Sequence, residues 1–142
     1  MRFLVLGASG MAGHTISLYL KERGHEVTGF SRRPVAFLER QVNGDARDEA
    51  LLARTVGGGG FDVVVNCVGV LNQHAERDPE GAAYLNGELP HVLARLAEGM
   101  PTRVFHMSTD CVFAGNTGPY TEDSVPDGET VYDRTKAAGE LR

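Results

Sequence analysis

The chain has 142 residues, 42% of them apolar and 23% charged, with a formal net charge of −5. That length suits one domain with a real core and is short for two. The acidic balance offers nucleic acid no basic footprint, no apolar run is long enough to cross a bilayer, and Gly7 cuts off the opening apolar stretch before it resembles a signal peptide.

Residues 3–6 form a short apolar run that reads as a buried strand. A helix is expected over residues 11–23, with Ala12, Ile16, Tyr19 and Leu20 facing inward and Gly24 ending it. Residues 26–30 read as a second strand, and a weaker third lies near residues 40–42. Asp45 is expected to cap a helix running to about Thr55, with Asp48 and Glu49 in its first turn. The four glycines at 57–60 read as a surface turn, because a strand and no helix follows them. That strand, residues 61–66, is the clearest buried one.

Asp78 and Pro79 open a helix expected to reach about Glu98, with Gly99 and Pro101 as stop signals. Pro90 inside it should kink or split it. Residues 103–107 read as another strand, residues 114–129 as a long active-site loop, and a last helix begins near Val131 and is cut off at Arg142. Strands alternating with helices give an α/β fold, a Rossmann-type parallel sheet flanked by helices. Cys67 and Cys111 lack zinc or redox spacing and read as buried free thiols in a reducing cytoplasm. The five histidines show no metal-ligand spacing.

Gly7, Gly10 and Gly13 follow a strand and open a helix, the context that a dinucleotide fingerprint requires. One glycine makes the turn, the next admits the pyrophosphate, and the third lets the helix pack on the sheet. Ser9 and Met11 lie in the same loop, where free N–H groups at a helix start favour an anion. An NAD site usually carries an acid after the second strand; here Ser31, Arg32 and Arg33 stand instead. Arginine pairs with a 2′-phosphate, which favours NADPH and leaves NADH as the alternative. Asp45 beside Ala46 is placed to accept from an adenine amino group, besides capping its helix.

Ligands of open α/β sheets bind beyond the carboxyl ends of the strands. Cys67, Val68 and Gly69 should therefore border the cofactor, and Ser108 and Thr109 should emerge on the same rim. Tyr132 and Lys136 are four apart, on one face of a helix. An ammonium beside a phenol favours its ionised form, which suits it to exchange a proton with a carbonyl or alcohol oxygen. The expected roles are proton donor and acceptor for Tyr132, and ribose contact and activation of the phenol for Lys136. Thr109 positions the reacting oxygen, with Ser108 as the alternative hydroxyl. Alone the Tyr–Lys spacing is common; with the glycine loop and the Ser-Thr strand end it points to hydride transfer with a nicotinamide.

The stretches Ser108-Thr109-Asp110-Cys111-Val112-Phe113, Tyr120-Thr121-Glu122-Asp123, Tyr132-Asp133-Arg134-Thr135-Lys136 and Gly139-Glu140 narrow this further. The chain resembles the extended short-chain dehydrogenase/reductases, and within them the dTDP-4-dehydrorhamnose reductase family. The resemblance implies NAD(P)H-dependent reduction of a 4-keto group on a nucleotide-linked deoxysugar, with Thr109, Tyr132 and Lys136 in the catalytic positions. It also places Asn86 at a position commonly Asn, beside the cofactor or at a break in its helix. Members carry a further C-terminal half that holds the sugar nucleotide, so a fragment truncated before the substrate domain is expected. A sheet lacking its last strand would expose an apolar flank and favour self-association into a homo-oligomer. Two other readings stand beside the reductase. One is a non-catalytic NADP-binding regulatory module, similar to the regulatory subunit of methionine adenosyltransferase. The other is a nucleotide-sugar epimerase or dehydratase, for which Asp110 after Thr109 is the one supporting acid.

Overall fold

A computed structural model describes residues 1–140. They fall into two compact units, residues 1–68 with 92–107, and residues 69–91 with 108 onward.

The first unit carries a five-stranded parallel sheet in the order β3-β2-β1-β4-β5. The strands are β1 (Arg2–Leu6), β2 (Glu26–Ser31), β3 (Arg40–Asn43), β4 (Val63–Asn66) and β5 (Arg103–His106). Val5 pairs in register with Gly29 on one side and Val65 on the other. Leu4, Val5 and Leu6 are fully buried, and β4 is buried at all four positions. A parallel sheet covered on both faces explains why these strands read as unbroken apolar runs. At the β5 edge Phe105 and Met107 are 53% and 46% exposed.

Helix α1 (Met11–Glu22) runs as expected, but its inward face differs. Gly13 and Ser17 are its buried residues, with Ile16 and Leu20 packed on the core, whereas Ala12 and Tyr19 are exposed. Small residues let the helix lie close on the sheet, while Tyr19 rests under the Arg23 guanidinium, 5.1 Å from its ring centroid. Ser17 Oγ is buried without a hydrogen-bond partner among the described residues. Ser17→Ala is therefore expected to raise stability by about 1 kcal/mol, read as a higher urea midpoint at unchanged slope.

Helix α2 (Glu49–Gly59) corrects two expectations. Its cap is Asp48, whose side chain accepts from Leu51 N, and not Asp45. It also runs through Gly57, Gly58 and Gly59 to a left-handed Gly60, so the glycines are no surface turn. Burial of Leu52 and Val56 holds the helix against its own poor propensity.

The second unit is helical. It holds α3 (Asn72–Arg77), absent from the sequence expectation, then α4 (Pro79–Ala82), a π-helical segment (Ala83–Glu88) and the start of α5 (Leu89–Ala97). The break expected at Pro90 takes the form of that π segment. Pro90 has no N–H for the carbonyl of Asn86, and Leu89 N instead reaches back five residues to Tyr84 O. A 3-10 turn (Asp110–Val112) precedes the long loop, and α6 (Val131–Ala138) follows it. α6 ends at Gly139 rather than running to the chain end; residues 141 and 142 lie outside the described residues. No described helix is long and apolar enough to cross a membrane. Cys67 is half-buried and Cys111 exposed, so the expectation of two buried thiols fails for the second.

Candidate functional site

In the first unit, the carboxyl ends of the parallel strands gather the expected cofactor residues. Strand order reverses between β1 and β4, which opens the crevice where such sheets take ligands. Gly7 adopts φ +77 and turns the chain out of β1, its N–H donating to Phe30 O at 2.8 Å. A Cβ on Gly7 would stand 2.9 Å from the Cys67 carbonyl, so β4's exit closes against this turn. A Cβ on Gly13 would stand 2.2 Å from Gly7 O, so only glycine lets α1 approach. Gly10 caps α1 without a side-chain bond, which leaves the helix's first N–H groups to a ligand. Ser9 and Met11 flank it, Met11 87% exposed.

At the end of β2, Ser31 is buried and its hydroxyl donates to Arg33 O at 2.6 Å, which shapes the turn. Arg32 and Arg33 are exposed and make no ion pair among the described residues. Asp45 lies past β3, accepting from Arg47 N at 2.9 Å, and Ala46 beside it is buried. Past β4, Asn66 is fully buried; its Oδ1 accepts from Val68 N at 3.0 Å and holds the turn through Cys67 and Val68. Anion-ready amides and a cradle closed to any Cβ fit the pyrophosphate of a dinucleotide.

The second unit gathers the other candidates. Tyr132 is 9% exposed, its ring packed with Ala75, Ala82, Val70 and Val131. Its hydroxyl makes no hydrogen bond among the described residues. Lys136, one turn on, is 4% exposed. A capping box of Thr130 and Asp133 starts α6, and Glu76 of α3 accepts from Val131 N at 2.9 Å. The 3-10 turn packs against α6. Thr109, which caps that turn, is half-buried, its Oγ1 accepting from Cys111 N at 3.2 Å. The Thr109 hydroxyl also donates to Asp110 at 3.4 Å, and exposed Ser108 donates to Glu140 at 2.9 Å, so both hydroxyls are engaged.

Asn86 is fully buried in the π segment, and both its amide hydrogens are engaged, one with Val70 O at 2.9 Å and one with Thr135 Oγ1 at 3.0 Å. Its oxygen accepts from Val70 N at 2.8 Å. Gly69 is next in chain, within van der Waals distance of the same carboxamide for any added Cβ. Sequence reading missed Thr135 and Glu76; the box Thr130-x-x-Asp133 was the one signal that marked how firmly this helix is set.

The loop between the 3-10 turn and α6 is ordered by its own side chains. Phe113 and Tyr120 stack with centroids 4.4 Å apart, and Asp127 accepts from Ala114 N at 2.7 Å. The hydroxyl and amide of Thr117 hold the exposed Tyr120 phenol below its ordinary pKa.

Residues 1–142 match the family model described as RmlD substrate binding domain. The chain is 38% identical over 141 residues to a dTDP-4-dehydrorhamnose reductase of Streptomyces griseus, covering 98% of this chain and 43% of that one. It superimposes with a TM-score of 0.86 on a hypothetical dTDP-4-dehydrorhamnose reductase of Sulfolobus tokodaii, at 29% identity, covering 98% of this chain and 50% of that one. A short-chain dehydrogenase/reductase superfamily protein of Agrobacterium tumefaciens, with NAD bound, gives 0.85 at 25% identity over 98% of this chain and 43% of that one. The chain thus spans half or less of the length of these relatives. With the match running the full length, the chain belongs to the RmlD substrate binding domain family.

Proposed function

We propose that the chain serves an NADPH-dependent reductase that converts the 4-keto group of a nucleotide-linked deoxysugar to an alcohol. The observation that carries this reading is Tyr132, a phenol buried to its ring and unbonded at its hydroxyl among the described residues, one helical turn from a buried Lys136. The dinucleotide supplies the hydride. Tyr132 gives its proton to the carbonyl oxygen as that oxygen gains charge, so hydride and proton together complete the alcohol. Lys136 lies buried one turn on, and its ammonium suits the ribose hydroxyls. Thr109 donates a hydrogen bond to the same oxygen and fixes its direction. In the cofactor half, Gly7 to Gly13 cradle the pyrophosphate, Asp45 and Ala46 border the adenine, and Cys67 to Gly69 border the nicotinamide. The names of the relatives support the sugar-nucleotide class, and the NAD bound in one of them supports a dinucleotide.

The preference for NADPH rests on Arg32 and Arg33, exposed and free of acidic partners among the described residues. Calorimetric titration should show NADPH binding at least tenfold tighter than NADH. Arg32→Ala with Arg33→Ala should erase that preference while leaving NADH affinity within about twofold, since a charge-assisted contact adds about 1.5–3 kcal/mol. Equal affinities in the unaltered chain would overturn the assignment. The reaction itself is tested by following NADPH absorbance with a dTDP-linked 4-keto-6-deoxyhexose. Binding of NADPH with no oxidation, in protein spanning the relatives' full length, would sink the reductase reading in favour of a regulatory module.

A further inference from the structure

We infer that Thr135 is a positioning residue for the proposed reduction, fixing α6 against the loop that follows β4. The inference rests on the proposed function and names a residue to which that reading gives no role.

Thr135 stands between Tyr132 and Lys136 on α6, and its hydroxyl is the junction of two networks. It accepts from Asn86 Nδ2 at 3.0 Å and donates to Val131 O at 2.7 Å, with Tyr132 O at 3.1 Å as a second acceptor. Asn86 in turn pairs both backbone groups of Val70. A continuous chain of hydrogen bonds therefore runs from Val70, through two side chains, to the first turn of α6.

The surrounding contact explains why such a lock matters. α6 meets the π segment through small residues. A Cβ on Gly87 would stand 3.3 Å from Thr135 O and 3.5 Å from Ala138 Cβ, and one on Gly139 would stand 2.1 Å from Asn86 O. Small residues bring backbones close but offer few interdigitating side chains to resist rotation or sliding. The His91 ring, 2.8 Å from Ala138 O, fixes the far end of the helix. At the near end, the Thr135 side chain bonds the π segment through Asn86. Rotation of α6 by a few degrees would move the Tyr132 hydroxyl, and misplacement of a reacting group by about 1 Å costs on the order of 10²-fold in rate.

The experiment compares wild type with Thr135→Val, which keeps the shape and loses the hydroxyl, and Thr135→Ser, which keeps the hydroxyl. Turnover is measured with NADPH and a dTDP-linked 4-keto-6-deoxyhexose. Separately, protein labelled with 13Cζ-tyrosine reports the Tyr132 resonance, identified by its absence from Tyr132→Phe. T135V is expected to lower kcat about tenfold at a KM within twofold of wild type and to shift the Tyr132 signal. T135S is expected to restore both. Wild-type kcat or an unmoved Tyr132 signal in T135V would overturn the inference, as would a T135S as impaired as T135V. If T135V does not fold, T135A, a better helix former, gives the same comparison. If wild type binds NADPH but never turns over, the reductase reading fails by itself. The Tyr132 signal then decides, moved in T135V and restored in T135S if Thr135 sets the helix.

Discussion

Tyr132→Phe is expected to lower the rate of sugar reduction by about 10²–10⁴-fold, or about 3–5 kcal/mol of barrier. The substitution removes one oxygen and keeps the ring. That ring packs with Ala75, Ala82, Val70 and Val131, and its hydroxyl holds no partner among the described residues. Folding should therefore be unaffected, with a stability change within about 0.5 kcal/mol. NADPH affinity should stay within about twofold, because Arg32, Arg33 and the glycine turn are untouched. Stopped-flow absorbance and calorimetry on one preparation separate these terms. A variant that keeps a tenth of the wild-type rate would remove Tyr132 as the proton donor and direct attention to Thr109.

The second large effect is structural in origin. Gly13→Ala would place a Cβ 2.2 Å from Gly7 O, 2.7 Å from Gly7 C and 3.1 Å from Ala8 Cα. All three are backbone atoms, so no side chain can rotate away, and α1 must move off the sheet. Overpacking of this kind costs about 1–3 kcal/mol. The displaced helix also carries the N–H groups proposed to hold the pyrophosphate, so NADPH affinity should fall at least tenfold. Gly58→Ala is the control of opposite sign. It lies inside α2 with nothing near its Cβ, and the change should stabilise the protein slightly. A Gly13→Ala chain that melts and binds like wild type would show that the turn tolerates more than its spacing suggests.

The strands were legible because a sheet covered on both faces needs continuous apolar runs, as in residues 61–66. The Gly7–Gly13 turn was legible because its glycines answer to a close backbone approach. The helices were read less well. Tyr19 looked like a core residue by periodicity, yet the surface inside α1 belongs to Gly13 and Ser17, chosen for smallness rather than hydrophobicity. The glycines at 57–59 argued for a loop, and burial of Leu52 and Val56 overrode them. α3 gave almost no signal. It is polar, has no side-chain cap and starts at Asn72 with φ +35, so packing alone makes it a helix. Pro90 announced a break in its helix, but nothing in a single sequence says that the break becomes a π segment carrying Asn86 inward.

The carboxamide of Asn86 meets Val70 as a neighbouring strand would, taking its N–H and its C=O together. Val70 lies in no helix or strand, so the exchange of its amide proton with solvent has one main guardian. That amide should persist in deuterated water well beyond those of exposed Leu71 and Asn72, and its decay should time the parting of Asn86 from the loop. One slow proton in an otherwise irregular stretch thus serves as an internal clock for opening of the second unit.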